Sequence, residues 1–316
     1  MTENKNYIVV LLLLFAFKVI VGQHLYQQPK VPIAKSELIK IIGPTSSQDT
    51  ERKIRILWVY GYDKDHIAGA HDYVKIKDLM VELLSTVNNV SIHDVFNFPN
   101  EEQFESADLV IMYLHLPQLE ENQFNSLKNF ISNGGGVVTL HETAIMRPSN
   151  LGKKLSECLG FAWNEGTSKW GAIFDKINIK NEHPVFKGFP KKLAIIDEFY
   201  WDLYQEKNVK ILGTVRTGPD GDSEGPVSEE LLSEDESPVF WTYRLGEGKV
   251  FGTTAGHHTF TYYDPEFRII LFRAIAWVVN EKPDPFMNLV FEGITNNEGM
   301  VGITDDLRYW EGKIRE

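Results

Sequence analysis

The chain has 316 residues, of which 43% are apolar and 12% aromatic, enough to bury the core of one large domain or two small ones. This composition excludes wholesale disorder. The formal net charge of −12 argues against a nucleic-acid-binding protein, because phosphate contacts need a basic patch.

The first residues predict export. Lys5 precedes an apolar run over residues 7–17, and Gly22 follows at an expected cleavage position. Lys18 interrupts the run, which is short for a membrane span of about 20 residues. We predict a signal peptide over residues 1–22, with an uncleaved anchor as the alternative, and hence a bacterial periplasmic or extracellular location. Cys158 is the only cysteine, so no internal disulfide framework is expected.

The first half of the chain alternates between strand-like and helix-like patterns. Residues 23–53 are polar and are interpreted as a linker. Strands are predicted at 54–60, 90–95, 107–114 and 137–140, with helices around 76–84 and 124–131 between them. Such alternation favours a mostly parallel sheet covered by helices on both faces, a three-layer, flavodoxin-like α/β fold.

The second half is less regular. Short strands are predicted at 172–179, 209–215, 238–245 and 249–254, and the acidic segment 218–238 is interpreted as a surface loop. A buried helix is predicted over 265–279, ended by Pro283 and Pro285. We therefore divide the exported chain into a domain over 54–280 and a C-terminal extension over 281–316.

Six of the nine histidines follow predicted strands: His66, His71, His115, His141, His257 and His258. If these strands are parallel, the histidines share the carboxyl edge of the sheet, where open α/β folds bind ligands. Such a cluster supplies general bases or metal ligands. The residues Asp197, Glu198 and Tyr200 form a second candidate, because they place carboxylates beside aromatic rings.

Common catalytic signatures are absent from the sequence. It contains no Gly-x-Ser-x-Gly elbow, no phosphate-binding P-loop and no Gly-x-Gly-x-x-Gly fingerprint. It also contains no His-Glu-x-x-His motif and no cysteine pair for zinc.

Five segments together resemble the ThuA-like (trehalose utilisation) family. They are GGGVVTLHETA at 134–144, NEHPVFKGF at 181–189, IIDEFY at 195–200, SPVFWTYRLGEGKVFGTTAGHH at 237–258 and AIAWV at 274–278. The resemblance spans about residues 54–280 and implies a fold related to the class I glutamine amidotransferases. In those relatives a nucleophilic cysteine follows the glycine-rich strand, whereas this chain has His141, so the resemblance argues against thioester chemistry on glutamine.

The resemblance implies a role in carbohydrate catabolism, with a disaccharide or 3-keto-glycoside as substrate. We expect His141, His257 and Glu198 to be catalytic. Substrate binding is expected from His71, Glu142, Tyr200, Trp241 and His258.

A divalent metal, zinc or similar, is an open alternative to purely His-based acid–base chemistry, with His71, His141, Glu198 and His257 as candidate ligands. A non-catalytic carbohydrate-binding module is the alternative function, and an amidase-like hydrolase is disfavoured by the missing cysteine. The expected partner is a small sugar, with membrane contact only through an uncleaved N-terminus.

Overall fold

The computed structural model describes residues 33–45, 49–63, 69–115, 119–145, 152–173, 175–180, 182–218, 232–294 and 300–301. The predicted signal peptide and most of the predicted acidic loop lie outside these residues. No helix in these ranges is long and apolar enough to cross a membrane.

The strands and helices alternate through the first half of the chain, as the apolar patterns predict. In chain order they are β1 (Ile33–Ala34), α1 (Lys35–Ile42), β2 (Asp49–Tyr60), α2 (Tyr73–Ser85), β3 (Asn88–Phe96), α3 (Glu101–Glu105), β4 (Leu109–Tyr113), α4 (Glu121–Ser132), β5 (Gly136–Leu140), a 3₁₀ turn (His141–Ile145) and α5 (Gly152–Leu159).

The second half contains short strands and one long helix. The order is β6 (Phe161–Ala162), β7 (Lys169–Ile173), β8 (Ile177–Ile179), a 3₁₀ turn (Pro184–Phe186), β9 (Lys192–Leu193), β10 (Asp197–Trp201), β11 (Tyr204–Gln205), β12 (Lys210–Arg216), β13 (Glu236–Leu245), β14 (Gly248–Thr253), a 3₁₀ turn (Thr259–Tyr263), α6 (Pro265–Val278), α7 (Asp284–Met287), a 3₁₀ turn (Asn288–Phe291) and β15 (Met300–Val301).

Nine of these strands form one mixed sheet in the order β3-β2-β4-β5-β14-β13-β12-β8-β9. The five strands from β3 to β14 are parallel, and the remaining pairs are antiparallel. The parallel half places the carboxyl ends of β2, β4, β5 and β14 at one edge. The predicted run 172–179 is divided between β7, which leaves this sheet to pair with β10 as a separate two-stranded ribbon, and β8.

Both faces of the sheet are covered, which confirms the three-layer α/β fold. Alternate residues of β2 point to opposite faces, with Ile56 and Trp58 in one core cluster and Leu57 and Val59 in the other. Helices α2 and α6 contribute to the first cluster, and α4 and α5 to the second.

The segments on either side of the predicted domain pack against it. Within the segment interpreted as a linker, α1 buries Leu38 completely in the core, and β2 already starts at Asp49. In the predicted C-terminal extension, Phe286 and Val290 are completely buried. The division at residues 54 and 280 therefore separates elements that share one core.

Two buried arginines of α6 connect these flanking segments to the core. Arg273 donates hydrogen bonds to the carbonyl oxygens of Ile41 and Lys187, each at 2.6 Å. Arg268 donates to the carbonyl of Tyr262 at 2.6 Å and to that of Glu292. Helix and turn ends leave carbonyls without intrahelical partners, so each guanidinium satisfies groups that burial would otherwise leave unpaired.

Candidate metal centre

Three histidines from separate loops meet at the carboxyl edge of the parallel strands. His71 precedes α2, His141 directly follows β5, and His257 lies four residues after β14. The Nε2 atoms of His71 and His141 are 3.0 Å apart, and the Nδ1 atom of His257 lies 3.0 Å from the first and 3.2 Å from the second. The three ring nitrogens thus form a nearly equilateral triangle, which we call the histidine triangle.

The outer hydrogen bonds of two rings fix which nitrogen carries the proton. The Nδ1 atom of His141 lies 2.7 Å from the carbonyl oxygen of Thr254, which only accepts, so this nitrogen is the donor. The Nδ1 atom of His71 faces carboxylate oxygens of Asp63 at 3.1 Å and Glu142 at 3.2 Å. In the neutral tautomers, both Nε2 atoms therefore direct lone pairs into the histidine triangle.

Lone pairs 3.0 Å apart repel each other unless a proton or a cation lies between them. Two nitrogen ligands at about 2.05 Å from a tetrahedral ion are about 3.3 Å apart, and adjacent ligands of an octahedral ion are about 2.9 Å apart. The observed separations of 3.0 to 3.2 Å fall between these two values. The histidine triangle therefore has the spacing of three ligands on one face of a divalent metal ion.

Burial controls the charge of the imidazoles. Burial lowers the pKa of His141 well below its usual value, and the neighbouring His71 and His257 lower it further. Burial also lowers the pKa of His257, but the carboxylates of Glu198, Asp197 and Glu142 together outweigh this effect and raise it. His141 is thus held neutral, the form that binds a metal.

Two members of the histidine triangle have a strained backbone. The φ angles of His71 and His141 are 48° and 49°, in the left-handed region that non-glycine residues rarely adopt. Such strain costs about 1–3 kcal/mol per residue and persists where the surrounding structure enforces it. Both strained residues direct their rings into the histidine triangle.

Glu198 and Tyr200 reach the histidine triangle from the ribbon formed by β7 and β10. They are two residues apart on β10, so their side chains point to the same face. The Oε1 atom of Glu198 lies 3.3 Å from Nδ1 of His257 and 3.8 Å from Nε2 of His141. The hydroxyl of Tyr200 lies 2.7 Å from the same His141 nitrogen.

Asp197 holds the loop that carries His257. Its buried carboxylate accepts hydrogen bonds from the backbone N–H groups of Gly256 at 2.7 Å and His257 at 3.2 Å, and from the hydroxyl of Thr261 at 2.9 Å. Burial raises the pKa of Asp197 to about 6, although these donors favour its charged form. Gly256 has a φ of 124°, and a Cβ there would lie 2.7 Å from the hydroxyl of Tyr262, so only glycine fits the turn.

Glu142 lies on the outer side of His71. In addition to His71, its carboxylate contacts Nδ1 of His115 at 2.7 Å and accepts a hydrogen bond from the hydroxyl of Tyr73. Burial raises the pKa of Glu142, but these three partners together lower it to about 2. Glu142 is thus a charged group that orients His71, the usual partner of a metal-ligating histidine.

The structure brings together the four predicted ligand candidates, His71, His141, Glu198 and His257, within 4.8 Å of one another. Tyr200 and Glu142 contact this group directly, and His258 stacks on Phe260 beside it, at 4.6 Å between ring centroids. His66 lies outside the described residues.

Trp241 does not take the position expected of a substrate-binding residue. It is completely buried, packs edge-on against Phe161 and donates its indole N–H to the carbonyl of Leu159 at 2.8 Å. Its position on β13 directs the ring into the core cluster to which α4 and α5 contribute.

Sequence reasoning missed Asp63 and Tyr73. Both flank the loop that carries His71, so the recurrence of polar residues in that loop was the available signal. Their contacts depend on how the loop folds back, which the spacing of apolar residues in the sequence does not indicate.

The protein is a three-layer α/β protein with its candidate site at the carboxyl ends of the parallel strands. This class is defined by the half-parallel sheet, the helices on both faces and the histidine cluster at that edge. The ThuA family model, described as trehalose utilisation, matches residues 58–278. The chain belongs to the ThuA family, whose description associates it with carbohydrate utilisation.

Solved structures support the fold assignment. A ThuA-like protein from Parabacteroides merdae is 18% identical with a TM-score of 0.55, over 72% of this chain and 90% of that one. Another, from Bacteroides uniformis, is 17% identical with a TM-score of 0.57, over 75% and 95% of the two chains. No curated protein matches the sequence significantly.

Proposed function

We propose that this ThuA-family protein is a metal-dependent enzyme that cleaves a disaccharide or 3-keto-glycoside. The observation that carries the proposal is the histidine triangle, whose nitrogens are 3.0 to 3.2 Å apart with two lone pairs directed inward. His71, His141 and His257 would hold the metal. When bound, a divalent ion supplies Lewis acidity toward a substrate oxygen.

Glu198 is the best-placed base. Its Oε1 atom lies 3.3 Å from Nδ1 of His257 and 3.8 Å from Nε2 of His141, farther than the three ring nitrogens lie from one another. Its side chain is 6% exposed, so it is buried but reachable from outside the site. In a 3-keto-glycoside the keto group acidifies the neighbouring C2–H bond, and a carboxylate at this position would take that proton.

This reaction does not need the pair of carboxylates that glycosidases use. As Glu198 takes the C2 proton, the electron pair forms a C1–C2 double bond and the bond between C1 and the glycosidic oxygen breaks. Water protonates the leaving oxygen, the resulting hydroxide adds to C1, and Glu198 returns its proton to C2. Burial raises the pKa of Tyr200 well above its usual value, so its hydroxyl stays protonated and donates a hydrogen bond to developing negative charge.

The proposal is tested with 3-keto-trehalose as substrate and release of the two monosaccharides as readout. Glu198→Gln is expected to lower kcat by about 10²–10⁴-fold, the usual contribution of a general base, while retaining the metal. His141→Ala is expected to lose both turnover and metal, and His93→Ala, on the exposed part of β3, neither. Wild-type turnover in Glu198→Gln would exclude the assigned role.

A non-catalytic sugar-binding module is the second candidate, favoured by the aromatic residues packed around Tyr200. Stoichiometric sugar binding without turnover and without metal would favour it over the enzyme. We further propose that the protein is exported, on the apolar run of its N-terminus; fractionation of cells that express the full chain tests this.

Glu142 is predicted to strengthen metal binding through His71. Glu142→Gln keeps the shape of the side chain but removes the charge that polarises His71, so the Kd for zinc is expected to rise about tenfold or more. Competition with a chromophoric chelator measures the change, with the exposed Glu247→Gln as control. An unchanged Kd would show that Asp63 alone orients the ring.

A further inference from the structure

The ribbon that carries Glu198 and Tyr200 presents a third residue to the same face. In the β7–β10 register, Tyr200 lies directly opposite Trp170, and Glu198 opposite Ala172. Directly opposed residues of an antiparallel pair point to the same face, with Cβ atoms about 4.5–5.5 Å apart. Trp170 therefore stands beside Tyr200 on the side that faces the histidine triangle.

Trp170 belongs to a small aromatic cluster separate from the two main cores. The cluster consists of Trp163 and Tyr200, both buried, with Trp170 and Leu203 packed against them. The ring of Tyr200 lies between His141, at 4.6 Å, and Trp163, at 6.4 Å between centroids. We call Trp163, Trp170 and Leu203 the aromatic wall; it continues from the candidate centre outward along Tyr200.

A polar group borders this apolar surface. The exposed Glu165 accepts the indole N–H of Trp163 at 3.1 Å. Trp170 itself is only partly buried. An aromatic face with a polar group at its margin has the composition of a site for a small ligand with one apolar face and several hydroxyls.

We propose that the aromatic wall binds a pyranose ring, with the C–H face of the sugar stacked on Trp170 and a hydroxyl directed to the carboxylate of Glu165. This inference rests on the proposed function, because it takes the substrate to be a sugar. It assigns Trp170 the role of positioning one ring of the substrate next to Tyr200 and Glu198.

Binding measurements by calorimetry test the proposal with three probes: trehalose, methyl α-glucoside and the open-chain polyol sorbitol. The wild type is expected to bind both ring sugars and not sorbitol. Trp170→Ala is expected to raise the Kd of the ring sugars at least tenfold, and Trp170→Phe to restore most of the affinity. Trp277→Ala, a partly buried tryptophan that contacts His183 and Lys249, serves as the matched control and is expected to leave the Kd unchanged.

The outcomes separate this inference from the proposed function. Equal Kd values for the wild type and Trp170→Ala, or no binding of either ring sugar to the wild type, would overturn the inference. Absence of metal and turnover would overturn the proposed function while leaving a Trp170-dependent Kd in place. Kinetics add a second readout, because loss of stacking in Trp170→Ala is expected to raise KM for 3-keto-trehalose more than it lowers kcat.

Discussion

Purified protein is expected to contain about one divalent metal ion per chain, and its removal by a chelator is expected to lower Tm by about 5–10 °C. A ligand present at 100 times its Kd stabilises the folded state by about 2.7 kcal/mol, and each kcal/mol shifts Tm by about 2–4 °C in a domain of this size. The gain arises because only the folded chain brings the three imidazoles together, so the ion binds the folded state and not the unfolded one. Elemental analysis and thermal unfolding before and after chelation measure both quantities.

Variants locate the metal within the molecule. His141→Ala and His257→Ala are each expected to lose the bound ion and the chelator-dependent change in Tm. His93→Ala, with its side chain exposed on β3, is expected to keep both. The same Tm before and after chelation in the wild type, with no ion detected, would contradict the metal assignment and leave a purely His-based site.

The second large effect concerns Arg273, whose guanidinium is buried beneath two chain segments. Arg273→Ala is expected to lower the free energy of unfolding by about 3–5 kcal/mol, because it leaves buried carbonyl oxygens without charge-assisted hydrogen bonds. Chemical denaturation measures the loss. Arg244→Ala, at an exposed position of β13, is the control and is expected to change stability by less than about 0.5 kcal/mol.

Removal of the segment that contains α1 tests the same hydrogen bonds by deleting their acceptors. A chain that starts at Asp49 lacks the carbonyls of Ile41 and Ile42, both acceptors for Arg273. It is expected to be destabilised, and Arg273→Ala is expected to cost less in the shortened chain than in the full one, since the two changes remove one shared interaction. Strictly additive costs would show that the arginine and the segment act independently.

The fold was largely predictable because its parallel half obeys local rules. Buried parallel strands such as β4 and β5 are short apolar runs, and α2 and α4 repeat their apolar residues with the period of a helix. The ribbon of β7 and β10 was not predictable, because its pairing joins strands that are separated by β8 and β9 in the chain. Nor was the docking of α1, which accepts a hydrogen bond from Arg273, more than 200 residues away in the chain.

The candidate site was likewise only partly predictable from the sequence. His141 and His257 were identifiable because they follow strands whose direction the sequence indicates. The prediction for Trp241 failed because neighbouring residues of β13 point to opposite faces of the sheet. Residues 240 and 241 are both aromatic, so the sequence does not indicate which core cluster each ring enters. Trp170 was overlooked because only the β7–β10 register places it opposite Tyr200.

The candidate centre is assembled from two separate sheets. The main sheet supplies the three histidines, and the ribbon supplies Glu198, Tyr200 and the aromatic wall, with Asp197 joining the two through the loop of His257. Under the proposed function, substitutions in the ribbon are therefore expected to change which sugar is accepted while the candidate metal ligands stay in place. We therefore expect relatives with different specificities to differ in this ribbon more than in the histidines.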